Sequence, residues 1–292
     1  MSASDHQSWF RSRTEEGEYR VARPHAEVLQ QLLSSTIDFT TAASKLISLD
    51  YTNNDTPWAL WNLVYEAAAD FPLSHSSLLA LLTEVEKADL QLSDLEAKGT
   101  AREWLACFGS MWRDKWGMFS PRASFGWTVS APQTTCRWVN INAFSAKLLA
   151  TPSFSQGMKL RACGLSLLKR CLETDPHKYK EMQRQAQSQT KRQSPWQRMD
   201  VAEMLTADVC AAAQWVIHAR GLMWKDDRVS NTELIQRFLP GKTDAWDGEQ
   251  GLTEGRWQLW KEKFLLMAGY EDIGPDAQQI AREAGKIMGE IH

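Results

Sequence analysis

The residues of this chain best placed to do chemistry share one edge of one segment. Between Val201 and Trp224 (VAEMLTADVCAAAQWVIHARGLMW), a helix turning about 100° per residue brings Glu203, Cys210, Gln214 and His218 within roughly 80° of one another. A carboxylate, a thiol, an amide and an imidazole in one stripe could line a pocket, with His218 or Glu203 as acid or base and Cys210 as nucleophile or bystander. The same stripe could equally be the less buried edge of a core helix. Cys210 sits in mid-helix, away from the helix ends that depress a thiol pKa. Leu205, Val209, Ala212 and Val216 fall on the opposite side, so the segment is apolar almost all round and reads as a central element wrapped by the others.

Three more helical runs place a polar side chain inside a tryptophan-flanked apolar stripe. In WALWNLVYEAA, Asn62 falls between Trp58 and Tyr65. In WVNINAFSAKLL, Asn142 falls between Trp138 and Leu149, and in WQLWKEKFLLMA, Lys261 stands beside Trp257, Trp260 and Phe264. A buried polar group must bond to another, to backbone, or to something bound. Fourteen tryptophans against five tyrosines, several beside a lone polar residue, suit an aromatic-walled cavity for a small apolar ligand. They also suit a core with wide gaps between helices, because Asn can bond a nearby carbonyl and Lys can snorkel past or stack on an indole. The candidate binding set is therefore Asn62, Asn142, Gln214, His218 and Lys261, with Trp138 and Trp257 as walls. No catalytic residue and no cofactor is legible.

Other chemistries lack their signatures. Six histidines show no close helical pair, so no metal site is expected, and there is no Gly-rich phosphate loop, GxSxG or HExxH. The five cysteines include no CxxC, and Cys163 and Cys171 are roughly 12 Å apart along one helix, so all five are expected as reduced thiols.

The elements that must position these residues are helical throughout. Helical spacing runs from Ala26 to Leu49 in two pieces broken near Thr36 to Thr40, and Thr56 with Pro57 opens the Trp58 helix, which ends near Phe71. Ser74 can cap the next helix, and Trp104, Phe108, Met111, Trp112 and Trp116 make the stripe of another. An aromatic loop is expected over 117–135, followed by the Trp138 helix to Ala150 and a helix from about Ser155 to Leu172. Thr232 to Phe238 reads as a short helix, Thr253 caps the Trp257 helix, and Pro275 opens the last one. With no alternating strand pattern, the fold expected is all-α: an irregular multi-helix bundle of about ten helices around the central apolar helix 201–224.

Composition bounds the rest. A chain of 292 residues with 43% hydrophobic content can build one large core or two modest lobes. We expect a flexible N-terminus over 1–23 and a single helical domain over 24–292, its two halves separated by a polar connector at 175–198 (DPHKYKEMQRQAQSQTKRQSPWQR) that is too poor in aliphatic residues to offset its ordering entropy. A net charge of −3 offers no footprint for a polyanion, so nucleic acid is not expected as a partner. The polar first twenty residues and the lack of an apolar run of roughly 18 residues predict a cytoplasmic protein without a membrane span.

Taken in order, the W-x-L-W-N element at Trp58 to Asn62, WVNINAF from Trp138, AAQWV from Ala212 and RWQLWKEKF from Arg256 resemble a family of ascomycete fungal all-helical proteins catalogued as a domain of unknown function. Ile141 stands for the family's leucine, Val216 for its isoleucine and Lys263 for its arginine. The resemblance spans roughly Trp58 to Met288 and implies an intracellular fungal protein, with an accessory role in secondary metabolism as its functional suggestion. The run Asp226, Asp227, Ser230, Glu233 resembles the magnesium-binding motif of class I terpene cyclases, but its glutamate comes one residue early and no aspartate-rich partner motif accompanies it. Two readings follow: a small-molecule-binding protein, enzyme or accessory, and a non-catalytic module that offers a helix face or the connector to a protein partner.

Overall fold

The computed structural model describes residues 3–15, 23–50, 56–92, 101–120, 131–152, 157–175, 178, 181, 201–225 and 232–291. Most of the connector at 175–198, the loop over 121–130 and the run Asp226 to Asn231 lie outside them. The fold is all-α. Among the described residues there are thirteen α-helices, one 3-10 turn (Pro72–Ser74) and no strand. They group into two compact units, Met1–Gly117 and Met118–His292.

The first unit contains α1 (Ala3–Glu15), α2 (Arg23–Leu33), α3 (Phe39–Asp50), α4 (Thr56–Asp70), α5 (His75–Leu92) and most of α6 (Ala101–Phe119). The stretch expected as a flexible N-terminus thus carries a helix. Its anchor is aromatic: Phe10 is buried, the Trp9 ring lies 4.8 Å from that of Phe71, and Trp9 Nε1 donates to Asp70 at 2.8 Å. The break expected near Thr36 falls between α2 and α3, where Ser35 takes φ 57° and the Asp38 carboxylate accepts from the Thr41 backbone N–H at 2.7 Å, capping α3. Helix α4 is the core element, buried on nearly every side from Leu60 to Ala69. Tyr65 stacks on Phe108 of α6 at 5.2 Å and Trp61 meets the same ring edge-on at 5.3 Å.

The second unit contains α7 (Ala131–Ala150), α8 (Gly157–Leu172), α9 (Val201–Ala219), α10 (Gly221–Trp224), α11 (Thr232–Phe238), α12 (Glu254–Met267) and α13 (Pro275–Glu290). Helix α7 begins inside the stretch expected as an aromatic loop. As the sequence predicts, α9 is the central apolar helix of this unit, packed by α7, α8 and α13. Its contacts with α7 advance together, Trp138 to Asp208 and Asn142 to Trp215, so the two run parallel. Those with α8 run the other way, Arg170 to Asp208 and Arg161 to Met223, so α8 is the antiparallel return between them.

The expected single helix 201–224 is interrupted. Arg220 takes φ 37°, ends α9 and turns the chain into α10. The turn seats Met223 in the core, and Arg161 Nη2 donates to the carbonyls of Met223 and Trp224 at 3.3 and 2.9 Å. Helices α12 and α13 form an antiparallel hairpin, which closes tightly at Gly285, where an added Cβ would lie 2.8 Å from Leu265.

One ion pair ties the second half of this unit to α8. Glu173 and Arg256 are 1% and 0% exposed at their side chains. Arg256 grips the carboxylate with Nε and Nη2 at 2.7 and 3.0 Å, and spends further donors on the carbonyls of Gly251 and Pro240. Trp260 Nε1 and Thr243 Oγ1 complete the carboxylate's partners at 2.7 and 2.8 Å. A buried pair bonded on both sides holds its geometry, but removing one member strands a charge. Arg256→Met is therefore expected to cost about 3–5 kcal/mol in chemical denaturation, and the double variant Arg256→Met/Glu173→Leu to recover part of that loss.

Candidate functional site

The sequence-predicted residues fall into three places in the second unit and one in the first. Asn142, wholly buried, is a structural joint. Its Oδ1 accepts from Trp215 Nε1 at 2.8 Å and its Nδ2 donates to the Trp138 carbonyl at 2.8 Å. Trp215 in turn lies against α8 at Gly164, where a Cβ would sit 2.7 Å from the indole. The ring thus joins three helices at once: rooted in α9, bonded to α7 and seated on the bare backbone of α8. Trp138 makes a second joint, donating through Nε1 to buried Asp208 at 3.2 Å, while Arg170 donates to the same oxygen at 3.2 Å and lies over the Trp138 ring at 5.7 Å.

Trp257 and Lys261 stand one turn apart on α12 and both meet α13. Trp257 is buried and donates to the Met288 carbonyl at 3.3 Å, with Trp224 5.5 Å from its ring. Lys261 is half-buried, and its stem passes Gly289, where an added Cβ would lie 3.6 Å from Cδ.

Gln214 and His218 do come together. They are half-buried neighbours on α9, with His218 Nε2 3.1 Å from Gln214 Oε1. Lys147, one helix away on α7, is near enough to oppose a charged imidazole. Cys210 lies two turns earlier on the same edge, where the charge of Asp276 on α13 and the thiol of Cys136 on α7 reach it. Glu203 is exposed at the start of the stripe. Along this seam of α9, bordered by α7 and α13, Gln214 and His218 are half-buried and bonded to each other.

Residues 61–264 match the family described as a protein of unknown function, DUF3632. The chain belongs to that family. No curated protein and no solved structure matches it. The geometry explains what several of the tryptophan-bearing elements do in this DUF3632 chain. Asn142 of WVNINAF and Trp215 of AAQWV are the two sides of one hydrogen bond, while Arg256 and Trp260 of RWQLWKEKF hold one carboxylate. Sequence reasoning did not single out Glu173, Arg170, Asp208 or Gly164. Asp208 carried a signal, as a carboxylate inside the most apolar helix, but its partner could not be named without the register of α8.

The electrostatics of the seam disarm the obvious nucleophile and base. Burial, with the Asp276 charge and the Cys136 thiol beyond it, pushes the Cys210 thiol up to about 11, so it stays protonated at neutral pH. Burial and the nearby Lys147 push His218 down to about 4. The imidazole is neutral across the physiological range and is a hydrogen-bonding group there rather than a strong base. Among the described residues no group of three or more His, Cys, Asp or Glu side chains could hold a metal ion.

Two outcomes follow. A histidine whose folded pKa lies below its ordinary 6.5 contributes no penalty above that value and destabilises the fold as pH falls from there through about 4. Thermal unfolding of the wild type is expected to lose stability over that window, and His218→Gln to lose less; equal slopes would show that the imidazole titrates freely. Iodoacetamide at pH 8 is expected to label exposed Cys136 well before Cys210, read by peptide mass spectrometry.

Proposed function

We propose that this DUF3632 protein is a small-molecule-binding helical protein, an intracellular fungal accessory of a secondary-metabolite pathway, and that the α9 seam is where it binds. The reading is supported above all by the Gln214–His218 pair: two neutral polar groups, bonded to each other on a half-buried edge and faced by Lys147. Apolar sites use such a sparse set of polar groups to orient a ligand, and a hydroxyl or carbonyl on an apolar body is the chemistry this one suits. A protonated Cys210 and a weakly basic His218 favour binding over catalysis. In this reading Asn142, Trp138 and Trp257 hold the seam's walls in place, and Lys261 borders the α12–α13 hairpin.

The alternative, a protein-interaction module, draws on one observation. Leu265 and Leu266 stand side by side on α12, 45% and 63% exposed.

Native mass spectrometry of the full-length protein purified from its own host separates the two. Binding at the seam predicts a small-molecule adduct that a folded Gln214→Leu/His218→Leu variant no longer carries. An unliganded wild type that also binds none of a pathway's intermediates would sink the proposal, and a protein partner lost on Leu265→Asp/Leu266→Asp would favour the module.

A further inference from the structure

Helix α1 has little to hold it in place by itself. Of its thirteen residues (ASDHQSWFRSRTE), Ala3, Trp9 and Phe10 are the apolar ones, and a helix of that length is marginal in water without a surface to pack on. Docking on α4 supplies that surface. Phe10 is buried, Trp9 packs on Phe71, and one oxygen of Asp70, Oδ2, accepts from the Trp9 indole at 2.8 Å and from Arg13 at 3.3 Å. Glu66 and Asp70 lie one turn apart on one side of α4, with Asn62 a turn before them.

Arg13 is the centre of this contact. Its Nη2 donates to Glu66 at 3.1 Å as well as to Asp70, and its guanidinium lies 3.9 Å from the centroid of the Trp9 ring. Its Nη1 donates to the Trp9 carbonyl at 3.2 Å and to the Ser12 hydroxyl at 3.1 Å. Ser12 is exposed in the last turn of α1, and its own hydroxyl donates to the Trp9 carbonyl at 2.8 Å. An exposed hydroxyl is thus bonded directly to the group that clamps the helix.

We propose that Ser12 is a phosphorylation site and that its phosphate undocks α1 from α4. A serine kinase supplies the step: Ser12 Oγ bonds to the γ-phosphorus of ATP, the bond from that phosphorus to the β–γ bridging oxygen breaks, ADP leaves, and the hydroxyl proton passes to the kinase's base. The product carries a charge of about −1.5 to −2 beside Arg13. It competes with Glu66 and Asp70 for the guanidinium, and it faces those two carboxylates across it. Negative charge in the last turn also opposes the helix macrodipole. Release uncovers Phe71 and the Glu66 to Asp70 end of α4. This device lies in the first unit and does not depend on ligand binding at the α9 seam.

The test is hydrogen–deuterium exchange on the full chain with phosphoserine placed at position 12, beside phosphopeptide mass spectrometry of the protein purified from its own host with phosphatases inhibited. The host protein is expected to carry phosphate on Ser12. The phosphorylated chain is expected to exchange about tenfold faster over 3–15 than the unmodified one, the equivalent of one lost charge-assisted hydrogen bond, while α12 and α13 exchange as before. Arg13→Gln is expected to speed α1 exchange without phosphate, and phosphate to add less in that background, because the clamp it competes for is already gone. Ser12→Ala, which removes the hydroxyl but adds no charge, is expected to exchange close to the wild type. The proposal is overturned by α1 exchange that phosphoserine leaves unchanged or slows, by an equal acceleration in Ser12→Ala, by a phosphate effect that persists in full in Arg13→Gln, or by host protein whose Ser12 is unmodified throughout.

Discussion

Burying a guanidinium and a carboxylate together is tolerable only if nearly every donor and lone pair is bonded, and the second unit is organised around meeting that demand at Glu173 and Arg256. Glu173 lies just past the end of α8 and Arg256 in the first turn of α12, so their bond fixes how α12 approaches α8. The same guanidinium takes carbonyls from Pro240 and Gly251 and so holds both ends of the loop between α11 and α12. Trp260 and Thr243 add their donors to the carboxylate. Two helices and a loop thus share one set of directional bonds, which an apolar contact would not orient.

Around α9 the same logic recurs with tryptophan as the donor. Trp138, Trp215, Trp257 and Trp260 each spend the indole N–H on an oxygen from another helix or its flank: Asp208, Asn142, the Met288 carbonyl and Glu173. A large ring fills the gap between helices while its one polar atom sets the orientation. That is why Asn142 sits inside a tryptophan-flanked stripe. Asn142 belongs to the architecture, whereas Gln214 and His218 lie on a half-buried edge of α9 and Glu66 and Asp70 on a separate stripe of α4.

These two places differ in electrostatic character. Along α9, burial and Lys147 keep the imidazole neutral, and burial keeps the thiol protonated, so the edge offers weak, uncharged hydrogen-bonding groups. On α4, Arg13 donates to both Glu66 and Asp70, and Asn62 Oδ1 is buried with no hydrogen-bond partner.

Periodicity, caps and composition determined the helices of this protein: Thr253 and Pro275 open α12 and α13, Val201 to Ala219 is apolar enough to be central, and residues 61–264 match the family. These are local properties, set within a few turns of chain. Which oxygen each indole would find was decided only in the tertiary structure, because Trp138 and Asp208, Trp215 and Asn142, or Arg256 and Glu173 lie seventy or more residues apart and no spacing rule links them. The break at Arg220 is of the same kind: the helical pattern continues through it, but Met223 reaches the core, and the Met223 and Trp224 carbonyls reach Arg161, where the chain turns. The end of the chain before α2 shows the converse, since a polar composition concealed a helix whose two aromatic residues had a receptive surface only once α4 was in place.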